Sequence, residues 1–176
     1  RQRKMSRKYV NEKWCVRCGK KTPTPYLQKN IGLLKTEGKT VVDVGCGNGR
    51  NTIFMRDQGF NVTPLDMCND FGADMILGKD KFPLEDNSVD IILSNYVMMF
   101  LDEDERDQVI AEMKRVAKFG CKIMLELYAA KDSFAVNKGE LIAMQREIFD
   151  KLDCFKIRYS QGKFIATMNP SSTVAS

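Results

Sequence analysis

The chain of 176 residues contains no histidine, which removes the side chain most used for proton transfer near neutral pH and the commonest nitrogen ligand for metals. Any proton transfer therefore falls to carboxylates, lysines, tyrosines or thiols. No apolar run approaches ~18 residues, so no membrane-spanning helix is expected, and no hydrophobic segment follows the basic start, so no secretory signal is visible. The expected location is the cytoplasm, or a host cytoplasm. Of six cysteines only Cys15-Val-Arg-Cys18 forms a pair. A structural zinc site takes four ligands, and with no histidine and no second pair at matching distance no metal is expected. Two such pairs shared across a dimer would complete a tetrahedron, while reduced thiols are the default in a cytosolic chain.

What is present begins with a 43% hydrophobic fraction and a net charge of +5, values of an ordinary globular domain long enough for one substantial core. The charge is unevenly placed. Residues 1–39 carry twelve Lys or Arg against Glu12 and Glu37, a balance of +10, whereas residues 40–176 carry sixteen against twenty-one, a balance of −5. The organisation expected is a basic arm with a lead-in helix over 1–39 and one folding unit over 40–176. Such an arm suits nucleic acid, an anionic small molecule, an acidic face of the same chain or plain solvation. Arg1-Gln-Arg-Lys4 precedes Met5 and is open to being leader sequence.

The most informative stretch is Val41-Val-Asp-Val-Gly-Cys-Gly-Asn-Gly-Arg50. Val41, Val42 and Val44 favour a strand buried on both faces, and glycines follow at once, as where a backbone must approach a ligand that a Cβ would exclude. A dinucleotide fingerprint places glycine first, third and sixth; here Gly45, Gly47 and Gly49 leave Arg50 in the sixth place. No Gly-Lys-Ser or Gly-Lys-Thr follows the loop, so a Walker phosphate cradle is also excluded. After a helical pattern and Gly59, Phe60-Asn-Val-Thr-Pro-Leu reads as a second strand closed by Asp66. An acid there, roughly 20 residues past the glycine loop, is placed to accept ribose hydroxyls; a strand-end turn residue is the alternative.

Along the rest of the chain, Pro23 and Pro25 open a helix carrying Tyr26, Leu27, Ile31 and Leu34 at helical spacing. Residues 67–72 leave little room for a crossover helix before a third strand over 73–77. Residues 89–93 form a buried strand with Ser94 and Asn95 at its carboxyl end, 102–118 a helix stopped by Gly120, and 121–128 a fifth strand. A helix over 139–152 precedes a hairpin of 155–159 and 164–168 around Gln161-Gly162. This β/α order predicts an α/β, single-domain, Rossmann-like, seven-stranded, mostly parallel sheet with a C-terminal antiparallel hairpin and helices on both faces.

Asp43-Val-Gly-Cys-Gly-Asn-Gly49 after a valine-rich strand resembles the first motif of class I S-adenosylmethionine-dependent methyltransferases. Phe82-Pro-Leu-Glu-Asp-Asn-Ser-Val-Asp90, Val97-Met-Met-Phe-Leu-Asp102 and the lead-in Thr24-Pro-Tyr-Leu27 resemble segments of the tellurite-resistance and related small-molecule methyltransferases. The resemblance implies S-adenosylmethionine as cofactor, S-adenosylhomocysteine as product and a small-molecule acceptor. It implies backbone contacts to the methionine part from Gly45, Cys46, Gly47, Asn48 and Gly49, and a loop or amino-group anchor at Asp43. Asp66 would hold the ribose, Met67 flank adenine, Lys79 or Asp80 meet its edge, and Ser94 and Asn95 touch the methionine end. Trp14 and Arg17 would close over the site, the arginine pairing with the cofactor carboxylate.

Methyl transfer is an in-line displacement in which positioning alone supplies up to ~7–11 kcal/mol, so a base is needed only when the acceptor must lose a proton. The candidates are Asn95, Tyr96 and Glu126, with Asp80 and Tyr128 behind them. Glu126 alternates with Leu125 and Leu127 and reads as facing outward. Tyr96 and residues 97–101 read as core and cofactor-edge packing. A thiolate or a selenium or tellurium oxyanion would suit a site without a base. Two alternatives stand beside the small-molecule enzyme. One is an RNA or protein methyltransferase held by the basic arm, although Ser94-Asn95-Tyr96-Val97 stands where amino-methylating nucleic-acid enzymes carry Asn-Pro-Pro-Tyr or Asp-Pro-Pro-Tyr. The other is a non-catalytic S-adenosylmethionine-binding interaction module. Oligomeric state is not legible.

Overall fold

A computed structural model describes residues 21–66, 73–127, 138–153, 155–160 and 163–168. Five strands run parallel: β1 (Thr40–Val44), β2 (Asn61–Asp66), the two-residue β3 (Ala73–Asp74), β4 (Val89–Asn95) and β5 (Ala117–Glu126). Beyond β5 lies an antiparallel pair, β6 (Phe155–Ser160) and β7 (Lys163–Met168), with β7 inserted between β5 and β6. The sheet order is β3-β2-β1-β4-β5-β7-β6. Chain direction across the sheet reverses between β1 and β4, which opens a crevice at their carboxyl ends.

Among the described residues, four α-helices flank the sheet: α1 (Pro25–Asn30), α2 (Arg50–Asp57), α3 (Glu103–Val116) and α4 (Lys138–Lys151). Val41, Ile91, Leu93 and Met124 pack on one face against Leu27, Leu34 and Met55 from the α1 and α2 side. Val42, Val44, Ile92, Ile123 and Leu125 pack on the other against Val109, Met113, Val116 and Ile148 from α3 and α4. Neighbouring residues of β1, β4 and β5 thus enter opposite cores, which is why these strands read as nearly unbroken apolar runs. Each fully buried Leu, Ile or Met contributes about 1.5–3 kcal/mol. No helix among the described residues is long and apolar enough to cross a membrane.

Two local expectations change. The helix over 102–118 is not ended by Gly120: α3 begins with a reciprocal capping box between Asp102 and Glu105 and ends at Val116, where Ala117 is already extended at φ −66° and ψ 124°. Gly120, at φ +79°, lies within β5 where its register to β4 shifts between Val89 and Ile91, a backbone turn that glycine adopts without strain. The third strand stops at Asp74 rather than 77. Met75 and Leu77 are nevertheless buried, so the apolar pattern reported burial and not pairing. The turn of residues 82–86 is tied to α3, with Phe82 N–H donating to Glu112 Oε1 at 2.6 Å and Arg115 Nη1 donating to Leu84 O at 2.8 Å.

Candidate functional site

The glycine loop leaves β1 at the reversal of sheet order. Gly45, Gly47 and Gly49 all have positive φ, at 75°, 55° and 80°, so alternate residues occupy backbone conformations that other side chains enter with strain. At Gly45 space excludes a side chain as well: an added Cβ would stand 2.5 Å from Val97 Cγ2. The N–H groups of Gly45 and Cys46 donate to Leu65 O at 2.7 and 3.0 Å, and Gly47 N–H donates to Asp66 Oδ2 at 2.7 Å. The loop is therefore strapped to the end of β2, and Asp66 has one oxygen committed to it. Gly49 N-caps α2, and Arg50 N–H donates to Asn48 Oδ1 at 3.2 Å.

Asp43 lies beneath this loop, 2% exposed. Thr52 Oγ1 of α2 donates to its Oδ2 at 2.6 Å. Burial pushes the carboxyl up to about 6; the Thr52 hydrogen bond opposes that shift, and the Asp66 carboxylate adds to it. The lead-in helix is fastened to the same elements, since Thr24 N–H donates to Asn51 Oδ1 at 2.9 Å. The start of α1 is thereby held over the first turn of α2.

Across the crevice, Ser94 pairs in register with Val44, and Asn95 stands one residue beyond. Ser94 is fully buried and Asn95 is 9% exposed. Ser94 Oγ and Asn95 Oδ1 have no hydrogen-bond partner among the described residues, so buried polar capacity remains at the carboxyl end of β4. Tyr96 follows with φ 59°, a left-handed conformation costly for an aromatic residue and concentrated at functional sites. Its N–H donates to Glu126 O at 2.8 Å.

Glu126 corrects the outward reading. It has zero exposure, and Asn95 Nδ2 donates to its Oε2 at 2.6 Å. Both faces of β5 are covered, so alternation with Leu125 and Leu127 distinguishes two cores instead of core from solvent. Lys163, not singled out from the sequence, and Tyr26, read there only as an apolar position of the lead-in helix, belong to this neighbourhood. Lys163 pairs in register with Glu126 across β5 and β7, and its Nζ lies 3.6 Å from Glu126 Oε1 and 5.6 Å from the Tyr26 ring centroid. The readable signal was the lysine directly after Gln161-Gly162, once β7 is placed beside β5.

The structure thus brings Asp43, Gly45, Cys46, Gly47, Asn48, Gly49, Asp66, Ser94 and Asn95 around one crevice, with Tyr96 and Glu126 beside it. Asp80 is exposed in the turn after β3, its Oδ2 accepting from Ile76 N–H at 2.6 Å and its backbone oxygen accepting from Gln108 Nε2 at 2.9 Å. Lys79 lies in the same turn, also exposed. Trp14, Arg17, Met67, Tyr128, Cys15 and Cys18 lie outside the described residues, as does the Gln161-Gly162 turn.

The glycine loop, a buried acid below it and a strand-end acid beside it stand together at the carboxyl ends of β1 and β2, the position at which open α/β sheets take their ligands. A Cβ would fill the close approach at Gly45, and orphaned buried oxygens line the opposite strand end.

Comparison with known proteins gives the same picture. Residues 42–125 match the family described as a methyltransferase domain. The chain is 28% identical over 104 residues to phosphoethanolamine N-methyltransferase 1 of Triticum aestivum, covering 50% of this chain and 21% of that protein. It is 33% identical over 93 residues to the malonyl-[acyl-carrier protein] O-methyltransferase of Pectobacterium atrosepticum, covering 47% and 36%. The matches therefore span about a fifth and a third of those curated relatives. Among solved structures it resembles the Burkholderia thailandensis 1,6-didemethyltoxoflavin-N1-methyltransferase with bound 1,6-didemethyltoxoflavin and S-adenosylhomocysteine, at TM-score 0.57 and 15% identity over 82% of this chain and 75% of that one.

Proposed function

Because the chain carries a class I S-adenosylmethionine-dependent methyltransferase domain, we propose that it transfers the methyl group of S-adenosylmethionine to a small-molecule acceptor. The observation that carries this reading is the strapped loop of residues 45–49, with its three positive-φ glycines and the Gly47 to Asp66 hydrogen bond at the reversal of sheet order.

Bound there, the cofactor supplies a methyl group on a sulfonium, already activated for displacement. The backbone of Gly45, Cys46, Gly47, Asn48 and Gly49, free of Cβ atoms at alternate positions, would let its methionine part approach closely, with Ser94 and Asn95 toward the amino-acid end from β4. Asp66 keeps one oxygen on the loop and offers the other side of its carboxylate to ribose. Asp43 braces the loop from below through Thr52. Lys79 or Asp80 would lie toward the adenine edge, while Met67, Trp14 and Arg17, the remaining proposed cofactor contacts, lie outside the described residues. The chain's own contribution to rate is alignment of acceptor and methyl group and exclusion of water. No histidine is available to take a proton.

The test is calorimetric titration of the chain with S-adenosylhomocysteine, paired with a radiolabelled-methyl screen of small molecules, RNA and protein. Binding with transfer to a small molecule is expected. No binding would overturn the reading, and binding without transfer to any acceptor would convert it to a cofactor-sensing module. The +10 balance of residues 1–39 favours a polymer acceptor as second reading; transfer to RNA with affinity falling steeply in salt would establish it.

A further inference from the structure

Beside the proposed cofactor cradle, on the face of the sheet covered by α1 and α2, five polar side chains converge. The row Asn95, Glu126, Lys163 crosses β4, β5 and β7 in register, one residue beyond the row Val44, Ser94, Leu125 that ends at the glycine loop. Neighbouring strands lie about 4.8 Å apart, so the backbone of Lys163 is roughly 14 Å from β1, a gap that a small molecule can bridge.

Within this group the hydrogen-bonding roles are segregated by depth. Glu126 is wholly buried, with Oε2 held by Asn95 Nδ2. Its Oε1 and Asn95 Oδ1 are buried atoms with no hydrogen-bond partner among the described residues. Lys163 stands 3.6 Å from Oε1, an ion pair beyond hydrogen-bond length, and its side chain keeps 35% exposure. Burial opposes the charge on Lys163, but the neighbouring Tyr96 and the Glu126 carboxylate outweigh it and hold the lysine protonated. Tyr26 is half-buried under the lysine, and its hydroxyl is pushed upward by burial and then by Glu126, so it remains a donor. Acceptor atoms are at the bottom and donors at the rim.

A carboxylate buried this completely is costly unless it is fully hydrogen-bonded. Glu126 has one close donor, and its counter-ion is turned toward solvent. That arrangement fixes the lysine head without saturating it. A molecule arriving from the crevice would meet the partly exposed ammonium, which lies over the Tyr26 ring.

We propose that Lys163, with Tyr96 and Tyr26, forms the methyl-acceptor subsite and that the acceptor is an anion, a small molecule bearing a carboxylate or another oxyanion. Glu126 is the positioning residue that holds the lysine from beneath. This rests on the methyltransferase reading above and adds to it the acceptor's charge and the residue that receives it.

The experiment uses the full chain, native and as Lys163→Gln, Lys163→Arg and Glu126→Gln. S-adenosylhomocysteine is titrated first, and its affinity should agree within threefold among the native protein and the two Lys163 variants. The complex is then titrated with malonate and with inorganic phosphate, and methyl transfer is screened across carboxylic acids, selenite, amines and neutral alcohols. The expected result is anion binding to the native complex, weakened at least tenfold in Lys163→Gln and partly restored in Lys163→Arg. Turnover should be confined to anionic acceptors, with KM raised tenfold in Lys163→Gln and kcat changed less than threefold. Glu126→Gln should raise KM and make it more sensitive to salt. Absence of anion binding, an unchanged KM in Lys163→Gln, or turnover confined to amines would overturn the subsite while cofactor binding still stood. Loss of cofactor binding in the native chain would instead remove the methyltransferase reading, and the subsite with it.

Discussion

Asp66 Oδ2 accepts a hydrogen bond from Gly47 N–H at 2.7 Å, joining the end of β2 to the middle of the glycine loop. The carboxylate proposed to hold the ribose therefore also shapes the loop that receives the rest of the cofactor.

Asp66→Ala is accordingly expected to weaken S-adenosylhomocysteine binding more than tenfold. A hydrogen bond to a charged group contributes about 1.5–3 kcal/mol, before any ribose contact is counted. Asp66→Asn, which can still accept from Gly47, should lose less. Calorimetry on the two variants separates the roles, and equal losses would place the whole effect at the ribose.

Gly45→Ala puts a methyl group 2.5 Å from Val97 Cγ2 on a backbone at φ +75°. Overpacking costs typically 1–3 kcal/mol and a left-handed alanine about 1 kcal/mol or more. Val97→Gly in the same chain, which removes the Val97 Cβ at 2.7 Å as well as Cγ2, should recover the steric part and leave the backbone part. Urea denaturation of both single variants and the double variant gives the coupling energy, expected to be favourable by about 1 kcal/mol or more.

Asp43 titrates with a definite sign. Burial raises its carboxyl from 3.8 to about 6, so the folded state binds its proton more tightly than the unfolded state. Its contribution to stability is complete below pH 3.8 and is lost as pH rises through about 6, a change on the order of 3 kcal/mol. Urea midpoints measured from pH 4 to 7 should therefore fall more steeply in the native chain than in Asp43→Asn. At pH 7 the asparagine variant is expected to be the more stable protein and the weaker cofactor binder. A parallel pH dependence in both would exclude Asp43 as the titrating group.

Asn95→Ala removes the close donor from a fully buried carboxylate. Leaving such a group unsatisfied costs about 1–3 kcal/mol or more. Asn95→Ala combined with Glu126→Gln should be less destabilised than Asn95→Ala alone, because no buried charge is then left without its donor. Thermal midpoints of the three proteins check the order.

The parts of this site that could be read in the sequence are those whose backbone demands a residue type. Three alternating glycines and a β-branched strand specify the loop locally, and Asp66 follows from its distance along the chain. Glu126 was misread because strand alternation separates core from solvent only when one face of a sheet is wet, and β5 is covered on both. Gly120 was misread because a glycine after a helix and a glycine inside a register shift share the same conformational signature. Lys163 has a local signal only in its place directly after Gln161-Gly162, and Tyr26 reads locally as no more than an apolar position of the lead-in helix. They meet Glu126 only through the insertion of β7 beside β5 and the docking of the lead-in over α2, relationships between segments 37 and 100 residues away from it in sequence.

The placement of β7 between β5 and β6 also has a consequence for how the protein is made. The loop, β1, β2 and β4 leave the ribosome early. Lys163 emerges 114 residues after Gly49 and meets Glu126 only when β7 pairs with β5. During synthesis the chain would acquire the means to hold its cofactor before the means to choose what it methylates. The same division leaves the two halves free to change separately over evolutionary time: substitutions in the late hairpin could redirect the acceptor while the donor cradle stays as it is.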